Sequence, residues 1–476
     1  MIERARRRIR QWLLPQAPAN LDDHTRGAER NRRAVLTSGI AALARVVQIG
    51  TLLITVRLTL KYLGNERFGL WMTISSVLAM AAFADFGVGL GVLNTVSSAF
   101  GRDDMEGIRK AVSSGFAVLN FIAALLLLCF FAIYRVVNWA DFFHVVSPQA
   151  RSEAGPALAV FATCFALNIA MDVVQRVQLG LQQGYHYGLW QLCGSIAGFF
   201  GVLAGIWLHV SLPVLVVAIA GAPVFATALN AIHFFGSVRP DLRPSWESVS
   251  RDAISQIAGL GGLFFVLQMV VAISFSADNF IIARTLGAVN VPEYSIPQRM
   301  FSIIAVVTSM LVTPLWPAYG EAVSRGDMAW VRRTLSYTLL AVFALTSVAS
   351  AALVLLSNRI LLLWVGPSIH PPFMLILGLA VWAVLQCVTG TLQSFLNGSS
   401  IMRFQIGTHC VFGVVCLAAK FWSVRHYGLV AVPWATVITY GLFIILPSVW
   451  YVPRLIERMT TKVLPTPAID YSVAEF

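Results

Sequence analysis

The sequence predicts an all-α membrane protein in which twelve transmembrane helices form two six-helix halves around a central cavity. Three observations predict it. Hydrophobic residues make up 58% of the 476 and charged residues only 12%, about half the charged share of an ordinary soluble domain. Apolar stretches recur at the length of about 20 residues that a helix needs to cross a bilayer core roughly 30 Å thick. A loop motif also returns at a fixed offset, as an internal duplication requires.

Residues 1–33 carry nine arginines and four acids and read as a basic cytoplasmic tail. The apolar stretch from Ala34 has full helix length and no small-residue cleavage site behind it, so a cleaved signal is the weaker reading. Spans are predicted at about 34–58, 69–97, 111–135, 157–179, 188–209 and 212–235. A second set follows at about 257–283, 294–319, 334–356, 371–396, 406–424 and 428–452. These divide the chain into an N-terminal half, 34–235, and a C-terminal half, 257–452. The linker at 236–256 holds Pro240 and Pro244, and residues 453–476 form a second tail.

An even number of crossings puts both termini on one side. With Arg45 and Arg299 set aside as intramembrane, Lys and Arg divide 23 to nine between the loops and span ends of the two sides, the tail being on the richer one. Cytoplasmic loops hold the excess of such charge. A multi-pass protein of the bacterial inner membrane with both termini cytoplasmic is the expectation.

The same placement removes other classes. The net charge of +12 is spread over short segments between apolar runs, which fits topology better than nucleic-acid binding. Cys129, Cys164, Cys193, Cys387, Cys410 and Cys416 all lie in apolar runs without CxxC spacing, against a disulfide framework or zinc site. His186, His209 and His370 lack ligand spacing. No Walker loop is present, so no nucleotide or other cofactor is expected. No loop is long enough to hold a catalytic apparatus, and the chain is not expected to be an enzyme.

The repeat pairs R-D-D-M-E-G-I-R-K-A-V-S at 102–113 with R-G-D-M-A-W-V-R-R-T-L-S at 325–336, an offset of 223 residues. Lys61-Tyr62-Leu63-Gly64 pairs with Arg284-Thr285-Leu286-Gly287 at the same offset. A weaker echo relates L-Q-Q-G at 181–184 and Gln191 to L-N-G at 396–398 and Gln405. Six crossings return the chain to its starting side, so the halves share one orientation, and transporters built from such repeats rock about a site near the midplane.

Several stretches carry a resemblance. They are Arg57 with Y-L-G-x-x-x-F-G-L-W at 62–71, A-D-F-G-V-G-L at 84–90, G-R-x-D at 101–104, and L-W-P-A-Y-G-E-A at 315–322 followed by R-G-D-M. Together they resemble the polysaccharide transporters, O-antigen-type (Wzx-type) flippases of the multidrug, oligosaccharidyl-lipid and polysaccharide flippase superfamily. The resemblance implies a flippase that moves undecaprenyl-pyrophosphate-linked oligosaccharide repeat units from the cytoplasmic to the periplasmic leaflet. It also implies H+ or Na+ gradient coupling and, as candidate partners besides the lipid-linked substrate and membrane lipid, a polysaccharide polymerase and a chain-length regulator. A cation-coupled multidrug antiporter of the same superfamily is the alternative, and a non-transporting scaffold of a polysaccharide assembly complex is the alternative from another class.

Ionisable groups within the bilayer cost roughly 2.5–3.5 kcal/mol each on insertion scales and so normally face a partner or a wet cavity. Arg45, with Gln48 one turn on, is a candidate pyrophosphate contact, because a guanidinium offers permanent bidentate charge. An ion pair with Asp85 is the competing reading. Asp85 sits in a Gly-rich stretch and is the first candidate for coupling. Arg299, beside Gln298 and behind Pro297, is a candidate for phosphate or sugar, or snorkels to the outer headgroups. Asp278 reads as a coupling or gating residue or a local partner of Arg284 or Arg299. Asp172 and Arg176 share a helix face at i, i+4, as a structural pair or an inner gate. Asn120, Asn230, Gln268 and Gln386 could line a sugar path or bond a neighbouring helix. Trp71, Trp139, Trp207, Trp364 and Trp422 fit an interfacial belt.

Overall fold

The computed structural model describes residues 23–80, 84–143, 145–286, 290–365 and 371–463. Its regular structure is helical throughout the described residues, and ten stretches are long and apolar enough to cross a membrane. In chain order the main helices are α1 (Asp23–Met80), α2 (Val88–Gly101), α3 (Met105–Tyr134), α4 (Pro148–Gly180), α5 (Gly184–Trp207) and α6 (Leu212–Val238). Then come α7 (Arg251–Thr285), α8 (Val291–Val312), α9 (Leu315–Arg325), α10 (Met328–Val365), α11 (Phe373–Gly398), α12 (Met402–Tyr427) and α13, residues 431–463.

Local chemistry explains where the helices break. α1 kinks at Gly64, whose φ of 73° and ψ of 173° leave the helical region, inside the gap expected between the first two spans. The second span, expected unbroken at 69–97, is instead interrupted. Gly87 takes a left-handed φ of 72°, and Asp85 accepts from its amide at 3.0 Å, so α2 restarts at Val88 and runs for only 14 residues. Asp85 is therefore a turn residue and not a mid-span one. Pro314 and Pro317 bear out the expected interruption, since α8 ends at Val312 and α9 starts at Leu315. At Gly428 (φ 68°) the chain reverses, bringing Phe412 of α12 to 5.1 Å from Tyr440 of α13 between ring centroids.

The repeated loops have the same shape. Asp103 and Gly326 both adopt left-handed φ, 56° and 77°. One residue on, Asp104 accepts from the Gly107 amide and Asp327 from the Trp330 amide, so each caps the helix that follows.

Apolar packing lies mostly within each half, with Leu90 of α2 packed against Phe264, Leu267 and Met402 across the division. Leu70, Trp71, Ala154 and Leu215 form one cluster and Val96, Val112, Val173 and Phe234 another, both in the first half of the chain. Ile282, Phe301, Leu379 and Val432 form a third and Tyr319, Leu335 and Phe395 a fourth, in the second half. α7 straddles the division: Ile257 near its start packs into the Val96 cluster, and Ile281 and Ile282 near its end into the third. Between α6 and α7 the linker makes two short turns. It is tied to α3 where Arg109 donates to the Asp241 carbonyl and Ser114 accepts from the Ser250 amide. Arg239 donates to the Asp241 carboxylate and holds its carboxyl below the usual range.

α2 is the most closely packed part of the surface through which the halves touch, which also takes in Arg30 of α1 and Gln182. A Cβ at Gly87 would lie 2.2 Å from the Gly261 carbonyl oxygen of α7, and one at Gly320 of α9 would lie 2.5 Å from the Ser97 hydroxyl. Backbones approach here as closely as glycine permits.

Trp71 does not join an interfacial belt; it is buried against Phe68, ring centroids 5.9 Å apart. Trp207, Trp364 and Trp422 are exposed, as interfacial rings would be. Residues 23–33, assigned to the tail by charge, are helical, and Arg30 and Arg33 are buried. His370 lies outside the described residues.

Candidate functional site

Two groups of polar side chains stand inside the helical mass, one in each half, and a third group joins the halves at one end.

In the C-terminal half, α7, α8, α11 and α13 enclose a cavity of about 250 Å³. Asp278, Gln298 and Arg299, all singled out from the sequence, line it together, with Tyr294, Trp382 and Gln386. Pro297 is buried while the Arg299 side chain is exposed. Asp278 does not pair with Arg284 as expected. Six residues of helix turn Arg284 about 120° away from it, and the partner is Lys420 of α12, fully buried, which donates to one carboxylate oxygen while Tyr294 donates to the other at 2.6 Å. Lys420 falls among the outer span-end charges of the Lys and Arg count, yet it stands in the packed interior. It is the single lysine within a long apolar stretch, and that was the available signal.

In the N-terminal half, Asp85, Asp172 and Arg176 converge on Gly89, where a Cβ would lie 3.1 Å from Asp85, 3.4 Å from Asp172 and 3.0 Å from Arg176. Arg176 donates to Asp172 at 2.7 Å, so the i, i+4 pair forms. The alternative pairing of Arg45 with Asp85 does not. Asp85 is held by the amides of Gly87 and Gly89, and Arg45 donates to Gln48 at 2.8 Å.

Arg45 is exposed on α1. Ala34 and Thr37, further back on this helix, line a small cleft with Pro314 and Pro317 of the other half. Eleven residues are close to three full turns, so Arg45 lies on the same face as Ala34, roughly 16 Å further along. At Ala34 that face meets the C-terminal half. Asn120 lies apart from both groups, exposed on α3 with its amide donated to the Phe116 carbonyl. Asn230 is spent on a reciprocal pair with Gln178, at 2.8 and 3.0 Å.

The third group lies at the end that carries the repeated loops. Glu321 of α9 is its centre, accepting from Gln182 at 2.6 Å and from Arg325 at 3.0 Å, with Arg30 of α1 at 3.3 Å. Arg30 also bonds Asp327 at 2.9 Å, and Arg325 grips Asp103 through two 2.7 Å bonds. One layer in, Trp316 donates to the Asn94 side chain, Asn94 to the Asn397 carbonyl, and Ser97 to the Pro317 carbonyl. The glutamate could have been found from its place in L-W-P-A-Y-G-E-A; Arg30 could not, because its charge merges with the basic tail.

No family model matches the chain. It is 18% identical over 289 residues to a putative O-antigen transporter of Salmonella typhimurium, covering 60% of this chain and 65% of that protein's length. It is 21% identical over 447 residues to a putative O-antigen export protein of Yersinia pseudotuberculosis, covering 92% of this chain and 98% of that one. Among solved structures it is similar to a MOP superfamily transporter from Pyrococcus furiosus. That structure is 15% identical with a TM-score of 0.75, over 90% of this chain and 96% of the other. The fold is that of a membrane transporter.

Proposed function

From the similarity of this chain to O-antigen transporters of the multidrug, oligosaccharidyl-lipid and polysaccharide flippase superfamily, we propose that it translocates undecaprenyl-pyrophosphate-linked oligosaccharide repeat units across the bacterial inner membrane. The substrate enters from the cytoplasmic leaflet and leaves to the periplasmic one for polysaccharide biosynthesis. Twelve crossings in two halves, 34–235 and 257–452, do this by alternating access, with both termini in the cytoplasm.

One observation carries the reading: the halves are bound through polar and ionic contacts at one end, and each presents a permanently charged, exposed arginine away from it, Arg45 and Arg299. Interfaces built of discrete hydrogen bonds and ion pairs switch between two states. The Glu321 group is the cytoplasmic gate in its closed form. In this scheme Arg45, with Gln48, takes the pyrophosphate, and Gln298 and Arg299 meet the sugars. Asn120 contributes at most to the path between them. The Asp85, Asp172 and Arg176 group couples the cycle to a proton or sodium gradient, and Asp278 gates the C-terminal cavity. A polymerase and a chain-length regulator are the partners that would use the product.

The test is reconstitution. Purified protein in liposomes should move a fluorescently labelled undecaprenyl-pyrophosphate oligosaccharide between leaflets, and a strain lacking the gene should accumulate the same lipid on the cytoplasmic face. A protein that inserts correctly yet leaves the lipid in its original leaflet removes the proposal.

A further inference from the structure

The chemistry of the C-terminal cavity narrows what it can hold. Its volume of about 250 Å³ falls below the ~300–1,000 Å³ of sites that bury a drug-sized ligand, which leaves room for one ring and not for an oligosaccharide. Its walls mix apolar and polar groups: Leu379, Trp382 and Pro433 stand beside Asp278, Gln298 and Gln386. Gln298 and Gln386 each bring an amide that both donates and accepts, and Asp278 brings acceptors.

The Asp278 carboxylate is fixed before any ligand arrives. Tyr294 takes one oxygen and Lys420 the other, and a carboxylate oxygen can accept a second bond. Trp382 lines the same space, held edge-on against Tyr440 with centroids 4.9 Å apart. An indole beside fixed acceptors and paired amides offers an apolar face and hydrogen bonds at once. A sugar ring presents the complement, with C–H groups on its faces and hydroxyls around its rim.

Charge adds a second discrimination. Lys420 and Asp278 neutralise each other, and among the described residues no carboxylate stands within ion-pair distance of Arg299. The cavity is therefore left with one positive charge at its wall.

We propose that this cavity is a monosaccharide-reading subsite that admits one sugar unit of the substrate and favours a unit bearing a carboxylate, which Arg299 receives. The proposal rests on the flippase reading for the identity of the substrate, and its test separates the two.

Binding and transport are measured on the same purified protein with three lipids: undecaprenyl pyrophosphate alone, and the same lipid carrying one glucose or one glucuronate. A charge-assisted hydrogen bond gained by the bound sugar makes roughly a tenfold difference in affinity. The expected order of binding is glucuronyl, then glucosyl, then bare lipid, each step about tenfold. Arg299→Gln should erase the first step alone, and Gln386→Leu should weaken both sugar lipids while leaving the bare lipid unchanged. Equal binding of all three lipids, or variants that weaken all three alike, overturns the subsite even if transport proceeds. The ordered binding without transport keeps the subsite and sinks the flippase reading instead.

Discussion

Arg325 and Asp103 join the two halves through a pair of parallel 2.7 Å bonds, and they come from loops that the internal repeat makes equivalent. Each of the two similar loops thus supplies one side of the contact. Asp103 remains largely exposed, with 65% of its side-chain surface open, whereas Glu321 and Arg30 are buried at 8% and 3%. The two contacts should differ in strength.

Glu321→Gln should open the gate far more than Asp103→Asn. Removing one member of a buried ionic group costs about 3–5 kcal/mol, against roughly 0–1 kcal/mol for an exposed pair. Spin labels placed on the loops at 102 and 326 would read the distance distribution. Equal shifts in the two variants would show that burial does not set the strength of the closure.

Lys420→Met should destabilise the folded protein by about 3–5 kcal/mol, because it strands a buried carboxylate. The double variant Lys420→Met with Asp278→Asn should recover most of that loss. Thermal unfolding in detergent measures both, and a double variant no better than the single one would argue against a direct pair.

Arg45→Ala should abolish surface glycan and Arg299→Ala should lower it, while the protein stays inserted and abundant. A lysine at 45 should retain part of the activity, since it keeps the charge but loses the bidentate fork. Normal glycan in both alanine variants would make these side chains structural.

Asp85→Asn isolates charge from shape. Asparagine has one oxygen in place of two, so it keeps the amide bond to Gly87 or to Gly89 and loses the other; stability should fall by about 1–2 kcal/mol, while transport loses its dependence on the ion gradient. Unchanged ion dependence in proteoliposomes would free Asp85 of the coupling role.

Gly87→Ala should weaken the closed state as well, because the added methyl meets the Gly261 carbonyl and the left-handed φ strains any other residue. Cross-linking of cysteines introduced on α2 and α7 would fall relative to the parent protein.

Length and hydropathy made the helical class readable, and glycine and proline marked the breaks at Gly64, Pro314 and Gly428. The break at Gly87 was missed because the run from 84 to 97 is apolar enough for a continuous span, and only the turn geometry of Asp85 shows otherwise. Asp278, Gln298 and Arg299 were recognisable as intramembrane polar groups. Their common cavity was not, since it needs α7 and α8 to meet α11 and α13, which lie far off in the chain. Lys420 went unnoticed for a related reason: its partner is 142 residues away. The repeat was legible as spacing, but its use as two faces of one closure depends on how the halves dock.

The split loyalty of α7 limits how the molecule can be taken apart. Ile257 is seated with the first half and Ile281 with the second, so a cut in the linker before Arg251 would deprive the N-terminal fragment of a side chain it packs around. A cut after the helix would do the reverse. In the proposed cycle the halves would pivot about this shared rod, bending or swinging it near Gly259, Gly261 and Gly262, and a stiffened rod would hold both halves in a single posture.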